Sequence, residues 1–327
     1  MKTSIIASLF GGRGANYLKI TLAVLRRRKF FTFISLFGIC FTLTILVVVT
    51  AFIDHLLAAG YPETERERSM YALMLEERDT KNQGASSGPM SFWFINKYIK
   101  SLKTPEKVAL TSMIASSNTY INNQKIRVFF KYTDGAFWEI HQFKFVEGKA
   151  FTQKDIDNNE FVVVINEDLR DKYFGKGIAC VGKSFEMDSQ TFRVIGVVKG
   201  VPITRIYTSA DVYLPYNTTK KDLKSTQHRG DYIAIVLAKN QTDMPLIQAE
   251  YNEVARRIKP QQSGTFKPDV LKTSIDGYLE SFLRGIFRDN ENATRYVYGF
   301  LVLFALLFMS LPAINLVNIN MSRIMER

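Results

Sequence analysis

Hydrophobic and polar positions divide the chain into three parts. Two runs without a charged residue, Phe30 to Ile53 and Tyr296 to Ile319, stand near its ends, while residues 54–295 alternate short apolar stretches with charged and turn-forming ones. Each run holds 24 residues. As a helix rising about 1.5 Å per residue, such a run reaches roughly 36 Å, enough for a hydrocarbon core of about 30 Å with some tilt. An apolar stretch of about 10–14 residues suits a buried helix of a soluble protein, and a cleaved signal carries about 7–15 behind a short basic lead. Here the lead is 29 residues long, so the first run reads as an uncleaved anchor. The second is interrupted towards its end by Pro312, Asn315, Asn318 and Asn320. Spanning helices tolerate these where neighbouring helices satisfy the freed backbone and bond the amides, so partner helices are expected.

The pattern between the runs predicts a mixed α+β domain of two subdomains with βαβ-like order. Met70–Glu76 reads as a strand, the Gly- and Ser-rich stretch Asn82–Pro89 as a loop, and Ser91–Leu102 as an amphipathic helix capped by Ser91. Val108–Ile114 and Ile126–Tyr132 are further strands, and Asp134 caps a short helix reaching His141. Phe161–Ile165 is a strand that runs into Asn166-Glu167-Asp168, a cap with an acidic first turn, and the helix stops at Gly175. A hairpin follows, Ser184–Met187 with Thr191–Val198, turning through Asp188-Ser189-Gln190. Tyr232–Ala238 is a strand and Asp243–Ile258 a helix. A last helix, Asp276–Arg288, is expected to continue straight into the second span.

Charge sets the orientation and removes one function class. Residues 1–53 carry seven Lys or Arg and no Asp or Glu. By the positive-inside rule the arm 1–29 stays cytoplasmic, with Arg26, Arg27, Arg28 and Lys29 as the topology-determining cluster, and residues 54–295 lie outside. A net charge of +12 would suggest nucleic-acid binding, but the arm supplies +7 and the tail 320–327 supplies +1, leaving only +4 on residues 54–295. Charges there are interspersed, as in Glu63-Thr64-Glu65-Arg66-Glu67-Arg68, which reads as a solvated face. Cys40 falls in the first span and Cys180 in the outer domain, so they are not expected to pair.

One chemical motif stands out. Gly177 to Ser184 fits the letters G-x-x-x-x-G-K-[ST] of a phosphate loop, with Lys183 and Ser184 in the nucleotide-binding places. A true phosphate loop follows a strand and opens a helix, whereas here a helix precedes and a β-rich segment, 185–198, follows. The match is expected to be accidental. His55, His141 and His228 lack metal-ligand spacing and read as surface or loop residues. Asp155 and Asp157 read as capping residues in a polar turn, and Trp93 and Trp138 as core residues on helices. No catalytic, metal or cofactor-binding residue is assigned, so the chain is expected not to be an enzyme.

The run VEGKAFTQKDIDNNEFVVVINEDLRDKYFGKG (146–177), then VGKSFEMDSQTFRVIGVVKGVP (181–202), then ADVYLPY (210–216), resembles the extracytoplasmic core domain of MacB-type and FtsX-like ABC transporter permeases. NYLKITLAVLRRRKFFTFISLFGICFTL (16–43) is similar to the amphipathic helix, basic cluster and first span of that family, and LPAINLVNINMSRIMER (311–327) to its second span and the start of a cytoplasmic coupling segment. The resemblance implies a chain cut short after the second of four spans. It also implies a permease subunit in the bacterial inner membrane, N-terminus cytoplasmic and large domain periplasmic, driven by a separate ABC ATPase. A homodimer or paired permease, and a periplasmic adaptor, are implied with it, along with membrane lipid and no nucleic acid. The function implied is efflux or mechanotransmission, from ATP-driven motion inside to a shape change outside. A two-span sensor with an outer ligand domain shares this topology and stands as the alternative.

Overall fold

The computed structural model describes residues 23, 29–121, 124–287 and 293–324, in two compact units: residues up to 55 together with 295–327, and residues 56–294. In the first unit, helix α1 (Lys29–Leu57) opens on Lys29 and runs one turn past the expected Ile53. Phe33, Phe37 and Phe41, four apart, stack with ring centroids 6.0 and 5.9 Å apart. The hydroxyls of Thr42 and Thr44 donate back to the carbonyls of Gly38 and Cys40, each at 2.8 Å, so no polar group of theirs is stranded on an apolar helix. Leu36–Leu57 is long and apolar enough to cross a membrane, the one such helix among the described residues.

In the second unit the chain first forms β1 (Ser69–Ala72), β2 (Leu75–Asp79) and β3 (Gly84–Gly88). The strand expected over Met70–Glu76 is thus two. β1 pairs with β12 (Tyr232–Leu237) in the main sheet, while β2 passes into a second sheet of order β13-β2-β3, with β13 at Val270–Thr273. β3 also corrects the loop expected at Asn82–Pro89. Its glycines and serines pair antiparallel with β2, Glu76 opposite Ser87 and Arg78 opposite Ala85, so long-range pairing overrides a composition that locally favours turns.

Next come α2 (Phe92–Phe94, continued by a π-helical turn to Ile99), β4 (Lys107–Ser112), β5 (Ala115–Ile121) and β6 (Gln124–Thr133). Ser91 Oγ accepts from Phe94 N at 3.0 Å, the expected cap. β5 (ASSNTYI) has no strand signal of its own, and its seven-residue pairing with β6 is what makes it one. Then follow α3 (Gly135–Ile140), β7 (Phe145–Gly148), α4 (Gln153–Asp157), β8 (Val162–Asn166), α5 (Glu167–Phe174), β9 (Ser184–Met187), β10 (Gln190–Val198) and β11 (Val212–Pro215). The predicted caps hold. Asp134 accepts from Phe137 N at 3.0 Å and Asn166 from Leu169 N at 2.7 Å, Thr152 and Asp155 form a capping box, and Gly175 leaves α5 at φ 105°. Asp188 and Ser189 turn the β9–β10 hairpin with φ 53° and 58°.

The main sheet runs β1-β12-β4-β6-β11-β8-β10-β7, with β5 on β6 and β9 on β10. Parallel β8 and β10, joined through α5, make the expected βαβ-like unit. Residues 56–294 are one compact unit, and its main sheet has two ends. On the first, Met70, Ala72, Leu110, Ala234 and Val236 pack with Phe94 and Ile99 of α2 and with Ile247 and Tyr251 of α6 (Met244–Ala255). Alternate residues, Tyr71, Ala109, Ile233 and Ile235, face a second core with Phe137 of α3, Phe151 and Tyr213. At the other end Val163, Ile165, Phe185, Phe192 and Val212 enclose Leu169 of α5. The ends meet where β4 and β6 share a single backbone register pair, Thr111 opposite Thr133. Tyr132 N donates to Ser112 Oγ (2.9 Å) and Lys131 Nζ to Ser112 O (3.2 Å) across that join.

α7 (Tyr278–Ile286) is shorter than expected and does not continue into the last helix. Phe287 leaves the helix at φ −105°, ψ 58°. In the first unit α8 (Ala293–Ile324) spans 32 residues, Pro312 included, and its apolar part covers Arg295–Ser310.

Candidate functional site: a buried ionic knot at the end of helix α1

The residues that receive the end of α1 lie in the stretch that reads as a solvated face. Glu63 and Arg66 are instead buried, 1% and 3% exposed. Arg66 donates to Glu63 Oε2 through Nε (2.9 Å) and again through Nη2. Its Nη1 donates to the carbonyls of Leu56 (2.7 Å) and Ala58 (3.1 Å), groups that the end of a helix leaves without an internal partner. Cations suit that position, because the carbonyls there carry the negative end of the helix dipole.

Three other elements close on the same pair. From the loop after β10, Thr208 Oγ1 donates to Glu63 Oε1 (2.6 Å) and Arg205 Nη1 to Ala58 O (2.7 Å). From α7, the Tyr278 ring lies 3.8 Å beneath the Arg66 guanidinium. Tyr278 meets Tyr71 of β1 and Tyr207 edge-on, those two rings stack at 4.2 Å, and Tyr207 OH bonds Ser281 Oγ at 2.8 Å. β1 and the start of α7 are joined by a reciprocal backbone pair between Tyr71 and Asp276 (2.8 and 3.0 Å), and Arg284 holds Asp276 at 2.7 Å. Burial pushes the phenols of Tyr71, Tyr207 and Tyr278 above their ordinary range, so they stay neutral beside the Arg66–Glu63 pair. A guanidinium fork suits this place, since it bonds a carboxylate, two carbonyls and an aromatic face at once.

Of the topology cluster, Lys29 is the exposed first residue of α1, and Arg26, Arg27 and Arg28 lie outside the described residues. The basic arm's amphipathic helix, Asn16–Leu25, falls outside them too, apart from Ala23. The accidental nature of the phosphate-loop match has a structural cause. Its N–H groups are already used: Ile178 donates to Gly175 O, Cys180 to Glu147 Oε2, Gly182 to Val194 O and Lys183 to Cys180 O. No helix follows, only β9. Among the described residues no group of three or more His, Cys, Asp or Glu is placed to hold a metal.

Two histidines read as surface residues are buried. His228 Nδ1 lies 2.9 Å from Glu77 Oε1; burial opposes ionisation of Glu77, yet hydrogen bonds from His228 and Gln261 N keep that carboxyl below its usual range. His141 is held neutral, its pKa pushed down to about 3 by burial and by the charges of Lys131 and Arg66. Lys131, fully buried on β6, is pushed down to about 7 by the same loss of water, with Glu63 pulling the other way. Nothing in the local sequence marks these positions, because their burial comes from strand pairing distant in the chain.

Residues 32–254, about two thirds of the chain, match the family described as MacB-like periplasmic core domain. The uncharacterized ABC transporter permease YvrN of Bacillus subtilis (strain 168) is 26% identical over 192 residues, 56% of this chain and 41% of that protein. The macrolide export ATP-binding/permease protein MacB of Campylobacter fetus is 31% identical over 80 residues, 24% of this chain and 12% of that one. The chain thus spans less than half the length of these curated relatives. Among solved structures, a Porphyromonas gingivalis domain described as part of a permease protein shares the fold with a TM-score of 0.53 at 16% identity, covering 67% of this chain and 93% of that one. An apolar helix suited to a membrane, an α/β outer body and these matches agree, and the chain belongs to the MacB-like periplasmic core domain family, whose matched relatives are ABC transporter permeases.

Proposed function

We propose that this chain is part of the membrane permease subunit of an ABC-type transporter, passing motion generated by a separate ATPase in the cytoplasm to the outer domain. One observation carries this reading. The last carbonyls of α1 are held by a buried fork, Arg66, that bonds Glu63 and lies over the Tyr278 ring of α7, while Glu63 accepts from Thr208 of the loop after β10. α8 acts as the second span, with the basic cluster Arg26 to Lys29 inside and residues 56–294 in the periplasm. A second permease copy faces this one across the bilayer plane, and a periplasmic adaptor joins the outer domain where efflux requires it. The chain's own part is binding and transmission, with hydrolysis in the partner.

Affinity purification of the complete subunit from its own membrane tests the proposal. An ABC ATPase should copurify, and its turnover should fall when Arg66→Ala is introduced while the complex stays assembled. Recovery of a histidine kinase instead would favour the sensor alternative and end the transporter reading.

A further inference from the structure

The segment that leaves α1 is stitched to one loop, residues 199–208, along its whole length. Arg205 Nη1 donates to Ala58 O (2.7 Å), Tyr61 OH donates to Lys199 O (2.8 Å) and Thr208 Oγ1 donates to Glu63 (2.6 Å). A Cβ on Gly60 would lie 2.6 Å from the Arg205 guanidinium, so the two strands of chain lie against each other at that point. Within the loop, Arg205 N donates to Pro202 O (2.9 Å) and closes a tight turn whose first central residue is Ile203. Such positions normally take Pro, Gly, Asn, Asp or Ser. Ile203 is instead a branched hydrocarbon, 78% exposed, the most exposed large apolar residue described in this chain, with Ile206 (38%) and Pro202 also at the surface. Exposed Lys144 lies with its Nζ 5.7 Å from the Tyr61 ring centroid, exposed Lys199 follows in the loop itself, and Glu167 Oε1 accepts from the next residue, Gly200 N, at 3.2 Å.

Chain connectivity limits how far this turn can lie from the lipid. The uncharged run ends at Ile53, and Ala58 follows five residues later. At about 1.5 Å per helical residue that is roughly 7 Å, and the headgroup layer on each side of the hydrocarbon is about 5–7 Å deep. Arg205 touches Ala58, so Ile203, two residues away, is within reach of the outer edge of that layer. An exposed apolar tip near a tyrosine suits a membrane interface, and the charge beside it is mixed, Lys144 and Lys199 with the Glu167 carboxylate.

We propose that the turn Pro202–Arg205 is a membrane-contacting wedge, in which Ile203 enters the phospholipid headgroup region of the leaflet where α1 ends and Lys199 faces the lipid phosphates. The contact gives residues 56–294 a foothold of their own on the bilayer surface. The inference rests on α1 being a membrane span.

The test uses the full chain in phosphatidylethanolamine–phosphatidylglycerol vesicles. Ile203→Cys in a Cys40→Ser background is labelled with an environment-sensitive nitrobenzoxadiazole probe; Cys180 is buried and stays unlabelled. A lipid carrying a nitroxide at carbon 5 of its acyl chain should remove about half or more of the emission, and aqueous iodide much less. Native Cys40, labelled alone, is the internal standard, because it sits on α1 within the apolar run. Lipid quenching at Cys40 with iodide quenching at 203 overturns the wedge and leaves the span standing. Shielding of 203 from both quenchers overturns it in favour of a protein partner. Failure of lipid quenching at Cys40 itself removes the span and the wedge together.

Discussion

Removing the Arg66 side chain is the most informative perturbation of the knot. Arg66→Ala leaves the Glu63 carboxylate, 1% exposed, with the Thr208 hydroxyl as its remaining side-chain donor. It also frees the Leu56 and Ala58 carbonyls from the fork and bares the Tyr278 ring. Breaking a buried ion pair from one side costs about 3–5 kcal/mol, because the remaining charge keeps its desolvation penalty without its partner. Against a total stability of about 5–15 kcal/mol this is a large share, and it corresponds to a fall in Tm of about 6–20 °C for a domain of this size. Glu63→Gln on top of Arg66→Ala removes the stranded charge while keeping an acceptor for Thr208, and should restore about 1–3 kcal/mol. Arg66→Lys should fall between, since an ammonium keeps the charge but not the fork. Urea titrations of the full chain in a fixed detergent, followed by Trp93 and Trp138 fluorescence, give all four values. A single-mutant loss under about 1 kcal/mol, or a double mutant no more stable than Arg66→Ala, would refute the buried-charge argument.

Other outcomes are as specific. Lys131, with its pKa lowered to about 7, binds fewer protons folded than unfolded between about pH 7 and its ordinary 10.5, so stability should rise with pH across that window. Lys131→Met should flatten the rise and add about 1–3 kcal/mol at pH 7, measured by urea midpoint at several pH values. His141, lowered to about 3, costs stability as pH falls from its ordinary 6.5 towards 3, and His141→Phe should reduce that loss in an acid titration of the same signal. Gly148→Ala places a Cβ 2.0 Å from the Ile195 carbonyl oxygen at φ +64°, so the variant should unfold at least about 2–3 kcal/mol earlier or fail to accumulate. Lys183→Ala should leave the ATPase turnover of the purified complex unchanged, whereas a true phosphate lysine would abolish it. Replacing Arg26, Arg27, Arg28 and Lys29 with neutral residues should mix the protease-protection pattern of vesicles, and an unaltered pattern would count against the proposed orientation.

What the sequence makes legible is local. Ser91, Asp134 and Asn166 announce their helices because a cap needs only residues three positions apart, whereas the stretch after Thr152 reads as a polar turn and is a short helix. The β9–β10 hairpin and the continuous apolar runs of β8 and β12 are equally readable, the latter because both faces of each strand are covered. β3 and β5 are not, since Gly84-Ala-Ser-Ser-Gly88 and Ala115-Ser-Ser-Asn118 become strands only through partners that supply the ladder. The knot is illegible for the same reason. Glu63 and Arg66 sit in a charge run like any solvated one, and what buries them arrives from residues 205–208 and 278, some 140 to 215 positions later. The long helix continuous from Asp276 into the second span fails because periodicity shows an apolar face without showing where backbone geometry changes, at Phe287.

The single register pair between Thr111 and Thr133 gives the outer domain a mechanical weak line. Most ladders in the layer have four to seven residue pairs, while β10–β7 has three, β11–β8 two and β4–β6 one, so this line has the fewest register pairs to resist a bend between the two ends of the sheet. Ser112 and Lys131 lie across it, so a flexing body would first lose the contacts of a lysine that titrates near neutrality. Bending along this line would then be tied to the charge on Lys131, so the pH around the sheet would set how readily its two ends move against each other.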